Sequence, residues 1–194
     1  MTFAALPPSA AWRHHVAREG FETVFARAEW HGFRFDGHTS AVEDGVAWAV
    51  RYRIELDEDW CTRAAHVRGW SARGHRELRV ESDGAGHWRV NGHAAEELDG
   101  CLDVDLEASA CTNTLPVHRL DLAVGDGSDA PAVYVRAVDL AVERLEQRYT
   151  RLAAPGDPWF AFRYTSPRFE YDDTVTFDES GLTVEYPALA RRVA

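Results

Sequence analysis

The chain has 194 residues, 45% of them hydrophobic, and a formal charge of −11. That length suits one domain, taken as residues 1–194 with its core at about 20–192, and the apolar share is large enough to exclude disorder. The negative charge repels phosphate, so nucleic acid is excluded as a partner and anionic membrane surfaces are disfavoured.

The longest apolar run is of the size of Val46–Val50, far below the ~20 residues that span a bilayer, so no transmembrane segment is expected. The opening MTFAALPPSAAW lacks a basic start and is broken by Pro7-Pro8, which makes it a poor secretory signal. Cys61, Cys101 and Cys111 are odd in number and hold no metal-ligand spacing, which points to reduced thiols in a cytoplasm.

In chain order, the first twenty residues read as a short leader in which Trp12 opens a strand or a loop. Strands follow at Phe21–Trp30, Phe33–Val42 and Val46–Leu56. The last alternates cleanly, with Trp48, Val50, Tyr52, Ile54 and Leu56 on one face and Arg51, Arg53 and Glu55 on the other. A strand of that length suits a curved sheet. Trp60 to Trp70, Arg76–Glu81 and His87–Asn91 continue the pattern across the turn signals Asp83-Gly84 and Asn91-Gly92. Leu98–Leu122, LDGCLDVDLEASACTNTLPVHRLDL, combines strict alternation, a polar irregular segment and a proline that rules out a central strand. Ala132–Leu140 reads as strand, and Val142–Leu152 as strand although Leu145, Tyr149 and Leu152 also have helical spacing. After a loop at Pro155-Gly156-Asp157-Pro158 come Trp159–Thr165, Phe169–Phe177 and Leu182–Tyr186. The fold expected is mainly β, consecutive and antiparallel, with few or no helices and no βαβ unit.

Asp103 and Asp105 share one strand face with Cα atoms roughly 6.6 Å apart, at ~3.3 Å per residue. They are either a charged outer face or a carboxylate pair able to hydrolyse a glycosyl bond. Arg63 and Arg119 either fork onto a head group or neutralise Asp99, Asp103 and Asp121. The nine histidines never recur at metal-binding spacing, so neither a metal nor another cofactor is expected. Cys111 lies near Asn113 and His118 but reads as a small buried hydrophobe. Trp48, Tyr52, Trp70, Trp88, Trp159, Phe162 and Tyr164 form an aromatic ladder that either fills the core or lines a cavity.

One set of spaced motifs carries a resemblance. Asn91-Gly92, Leu98-Asp99-Gly100-Cys101, Asp103-Val104-Asp105-Leu106, Thr112-Asn113-Thr114-Leu115-Pro116 and Arg119-Leu120 are flanked by Asp57, Trp60 and Arg63 and by Asp178 to Pro187 with Arg191-Arg192. From about Gly20 to Arg192 the chain resembles a bacterial family of unknown function described as putative glycolipid-binding. It departs from that family at Ala110-Cys111, where a proline precedes the Thr-Asn-Thr segment, and at His118, where an arginine is common. The resemblance implies a strongly bent antiparallel sheet, an incomplete barrel similar to lipoprotein carriers, whose concave side holds a lipid-sized cavity. No catalytic residues come with it. The reading that follows is a non-enzymatic protein binding a glycolipid or fatty-acyl ligand through Arg63, Trp88, Asp103, Asp105, Thr112, Asn113, Arg119 and Tyr164. An acyl chain of about ten buried methylenes would gain on the order of 8 kcal/mol. A hydrolase using Asp103 and Asp105, and a ligand-free structural domain, are the alternatives.

Overall fold

A computed structural model describes residues 3–154, 159–187 and 189–194. The expected loop at 155–158 lies outside the described residues. An antiparallel meander opens the chain: β1 (Ser9–His14), β2 (Glu19–Glu29), β3 (Gly32–Glu43), β4 (Val46–Leu56), β5 (Thr62–Ser71), β6 (Gly74–Ser82), and the short β7 (Trp88–Val90) and β8 (His93–Ala94). Alternation makes these strands: in β4, Trp48, Val50, Tyr52, Ile54 and Leu56 are buried while Arg51, Arg53 and Glu55 are exposed. Each buried side chain of this size contributes roughly 1.5–3 kcal/mol.

The middle of the chain holds β9 (Asp103–Leu106), a 3-10 turn at Cys111–Asn113, helix α1 (Thr114–Leu120), β10 (Gly127–Asp129), β11 (Ala132–Val135), β12 (Val142–Leu145) and β13 (Arg148–Leu152). The last part holds β14 (Phe160–Ser166), β15 (Tyr171–Phe177), β16 (Thr183–Tyr186) and β17 (Ala190–Arg192). Among the described residues, fourteen strands form one sheet in the order β10-β13-β14-β15-β16-β17-β1-β2-β3-β4-β5-β6-β7-β8, and β12-β11-β9 form a second. All neighbours in the large sheet are antiparallel, and β10 and β8 are its edges, so it does not close into a barrel.

The small sheet and α1 fill the inner side of the large one. Val104, Leu106, Val133 and Val135 pack in one core with Val24, Phe35, Ile54, Val67 and Val80 of the meander. A second core joins Val117 of α1 to Tyr149, Phe162, Tyr164, Val175 and Phe177 of β13–β15. Leu115 of α1 belongs to the first core, so the helix sits between the two arms of the sheet. Pro116 is tolerated because it falls in the first turn, where no helical N–H is lost. Asp121, in the left-handed region at φ 43°, ends the helix.

The sheet begins at Ser9, so Trp12 stands in an opening strand rather than a loop. Trp12 is fully buried, and its Nε1 donates to the Thr183 carbonyl at 2.9 Å, tying β1 to β16. Three further expectations are corrected. β9 and β11 pair in parallel, with α1 in the connection between them, so a crossover exists after all. The helix is only seven residues long, too short to show a period in sequence. Val142–Leu152 is two strands: β12 belongs to the small sheet and β13 to the large one, and the chain changes layers at Glu146-Gln147. Strand β11 stops at Val135 rather than Leu140, and β17 carries no alternation long enough to be recognised.

A close approach inside the meander is testable. Tyr52 lies over Gly37, its cross-strand partner, so near that a Cβ on Gly37 would sit 2.0 Å from Cζ of the ring. Gly37→Ala must displace a fully buried Tyr52, and the expected loss is about 1–3 kcal/mol, measured as a lower urea midpoint.

Candidate functional site

The inner layer leaves a half-open cavity of about 260 Å³ between β9, β11, the 3-10 turn and β14–β16. Asp105, Glu107, Ser109 and Asn113 of the central stretch line it with Arg18 and Glu43. Tyr134, Tyr164, Phe169, Tyr171 and Tyr186 supply its aromatic walls. Asp105 reaches it because β9 is pressed between two layers, so its polar side chains turn inward instead of to solvent. Thr112 Oγ1 donates to Asp105 Oδ1 at 2.9 Å and holds the carboxylate from behind. Burial, with Asp103 and Glu107 nearby, pushes the Asp105 pKa up to about 6. Asn113 Oδ1 accepts from Tyr149 at 2.8 Å, and the Tyr164 hydroxyl donates to Gln147 Oε1 at 2.9 Å. Burial raises the Tyr134, Tyr164 and Tyr186 hydroxyls, which stay neutral phenols.

Asp103 contradicts the outer-face reading. It is 1% exposed, and the Arg119 fork donates from Nε at 3.0 Å and Nη2 at 2.6 Å. Burial alone raises its pKa, and Arg119 opposes that rise. The pair therefore neutralises itself beneath the cavity, as the structural reading of Arg119 had it. Asp105 faces the cavity; Asp103 does not line it.

The structure thus brings Asp105, Asn113 and Tyr164 together, with Thr112 behind them and Asp103 and Arg119 below. Arg63 is elsewhere, half-exposed, 3.6 Å from Asp57 and donating to the Ser82 carbonyl. Trp88 is also elsewhere, buried with Nε1 donating to the Cys101 carbonyl at 2.8 Å. Of the aromatic ladder, Trp48, Tyr52, Trp88, Phe162 and Tyr164 are core, whereas Trp70 and Trp159 are largely exposed. His118, stacked on Trp60 with centroids 3.6 Å apart, donates Nε2–H to the Ser180 carbonyl at 2.9 Å. Burial lowers its pKa to about 4, so it brings no pH sensitivity near neutrality. Burial raises the Cys111 thiol, which is therefore no nucleophile. No cluster of metal-ligating side chains exists among the described residues.

Several lining residues had no signal in sequence. Arg18, Glu43 and Tyr134 come from turns and strands far apart in the chain, and only the layering gathers them. Behind Ser109 lies Glu22, fully buried: Tyr52 donates to it at 2.5 Å, Ser109 Oγ donates to the same oxygen, and the Ala110 N–H reaches the other at 2.7 Å. Burial raises its pKa from 4.5 to about 7 against the pull of these bonds. A larger basin, about 840 Å³, lies over Arg13, His15, Phe21 and Arg191 at the strand ends; Arg191-Arg192 of the flanking motif line it, but none of the residues expected from sequence to contact a ligand does.

Two outcomes follow. Arg119→Ala leaves Asp103 buried without its cation and should cost about 3–5 kcal/mol in urea denaturation, whereas Arg63→Ala, removing a half-exposed contact, should cost under about 1 kcal/mol. Folding raises the proton affinity of Glu22, so its contribution is full below its unfolded pKa of 4.5 and is lost as pH rises towards 7. That loss amounts to about 3 kcal/mol. The difference in urea midpoint between wild type and Glu22→Gln should fall as pH rises across this range, whereas the contributions of Asp105, which runs the same way, and of His14 and His118, which oppose it, are common to both proteins.

Among solved structures, the chain is similar to the crystal structure of a DUF1089 family protein from Pseudomonas aeruginosa, with 32% identity, a TM-score of 0.77, and coverage of 100% of this chain and 98% of that one. No curated protein matches it. A family model described as "Putative glycolipid-binding" matches residues 9–192, and the chain belongs to that family.

Proposed function

We propose that the protein binds a glycolipid without chemical change, holding the sugar headgroup in the Asp105 cavity and leaving the acyl chain outside. The lining carries this reading: aromatic rings converge with Asp105, Asn113, Ser109 and Glu43 in one half-open space. Sugar C–H faces pack on aromatic rings, and sugar hydroxyls donate to carboxylates in bonds worth about 1.5–3 kcal/mol each. The cavity is smaller than the ~300–1,000 Å³ typical of whole drug-sized ligands, which favours a headgroup over an entire lipid. It also revises the expectation of an empty lipid-sized hollow, because β9, β11, β12 and α1 occupy the inner side of the sheet. Asp105, Asn113 and Tyr164 are the contacts, Thr112 positions Asp105, and Asp103 with Arg119 supports the floor. Three free thiols, all buried, suit a reducing compartment such as the cytoplasm.

One feature favours a hydrolytic reading: burial at the cavity pushes the Asp105 carboxyl up to about 6, within reach of general-acid work. Its expected partner, Asp103, is engaged by Arg119.

Organic extraction of the purified protein should release a glycolipid detectable by mass spectrometry, and octyl glucoside should bind saturably, at least tenfold more weakly to Tyr164→Ala. An extract free of lipid together with no saturable binding would sink the proposal. Release of sugar from chromogenic glycosides, abolished by Asp105→Asn, would replace it with the hydrolytic reading.

A further inference from the structure

The cavity is more acidic than sugar hydroxyls require. Glu43, Asp105 and Glu107 line it against one cation, Arg18. That cation is already engaged: its Nη2 lies 3.4 Å from Glu43, its Nη1 donates to the Glu107 carbonyl at 2.8 Å, and its guanidinium lies 5.4 Å from the Trp48 ring centroid. Asp105 and Glu107 are thus left without a cationic partner among the described residues. Glu107 takes hydrogen bonds from the Ala137 N–H at 2.7 Å and from Tyr134, and Asp105 takes one from Thr112, all from neutral donors. Two such carboxylates in a partly desolvated space are costly unless positive charge enters. The raised Asp105 pKa has the same origin.

The walls independently suit a cation. Tyr164, Tyr171 and Tyr186 lie mutually tilted, with ring centroids 5.7, 5.8 and 5.3 Å apart, and Tyr134 meets Phe169 at 5.6 Å. The faces of such rings carry negative potential and attract ammonium groups, most strongly where water is excluded. A phosphate or carboxylate would be repelled by the same lining. A neutral sugar would leave both carboxylates uncompensated.

We propose that the headgroup taken up by this cavity carries a cationic amine, as in a glycolipid built on an aminosugar whose nitrogen is not acylated. The amine sits between Asp105 and Glu107 and against the tyrosine faces, while the sugar ring makes the contacts described above. This inference rests on the headgroup reading and narrows its ligand class.

The test compares three probes on the full chain at neutral pH by calorimetry below their micelle concentrations: octyl 2-amino-2-deoxyglucoside, its N-acetyl derivative and octyl glucoside. The charged probe should bind at least tenfold more tightly than either neutral one, and Asp105→Asn or Glu107→Gln should narrow that ratio to under threefold. Equal or weaker binding of the charged probe overturns the inference and leaves the headgroup reading standing. A ratio unchanged in both variants also overturns it. Binding of none of the three defeats the headgroup reading itself, and the inference with it.

Discussion

The Arg119 fork on Asp103 joins α1 to β9, and the inner layer depends on that joint. Asp103 is almost fully buried and Arg119 largely so, so neither charge could remain inside without the other. Once the pair forms, the polar face of β9 can turn away from solvent. Val104 and Leu106 then meet the meander, and Val117 of α1 meets β13–β15. One short stretch of chain thereby holds both arms of an open fourteen-stranded sheet. A buried ion pair adds little net stability over an apolar substitute, but it admits one pairing and one register.

That arrangement also explains the cavity. Asp105 follows Asp103 by two residues on the same face, beyond the reach of Arg119, so it emerges where β9 stops being covered. Thr112, on the 3-10 turn that Asp105 and Ser109 help to hold, keeps the carboxylate in place. The tyrosines opposite come from β11, β14, β15 and β16, whose positions are set by the same core. Glu22 extends the buried polar network from Ser109 into the meander through Tyr52. Floor and walls are therefore fixed by packed elements, which suits recognition of a rigid ring.

Much of this was legible in the sequence, where the physics is local. Strands β2 to β6 follow from alternation over nine to twelve residues, with Gly32, Gly45 and Gly74 at three of the turns and Asp57 to Cys61 turning β4 into β5. The importance of Leu98–Leu122 also followed from its mixed pattern. What failed was non-local. Alternation in β9 looked like one wet face and one dry face, but a strand covered on both sides by other layers has no wet face, and only the distant Arg119 makes that tolerable. The split of Val142–Leu152 was hidden because Gln147, a polar residue at the break, serves as acceptor for Tyr164 in another strand. Of the residues singled out in the sequence, Asp105, Asn113 and Tyr164 line the cavity and Thr112 backs Asp105, whereas Arg18, Glu43 and Glu107, which also line it, look in sequence like any surface charge. Arg63 and Trp88 have the chemistry of ligand contacts but are used to hold turns and backbone carbonyls.

On the proposed function, the chain's own inner layer fills the hollow and leaves a cavity for a headgroup while the lipid tail stays outside. A crystal structure of the protein bound to an octyl glycoside tests this most directly. The sugar ring should lie against Tyr164 and Tyr186 with a polar group on Asp105, and the octyl chain should run out over the surface. An octyl chain inserted between the small sheet and the meander, or a sugar bound away from Asp105, would contradict it.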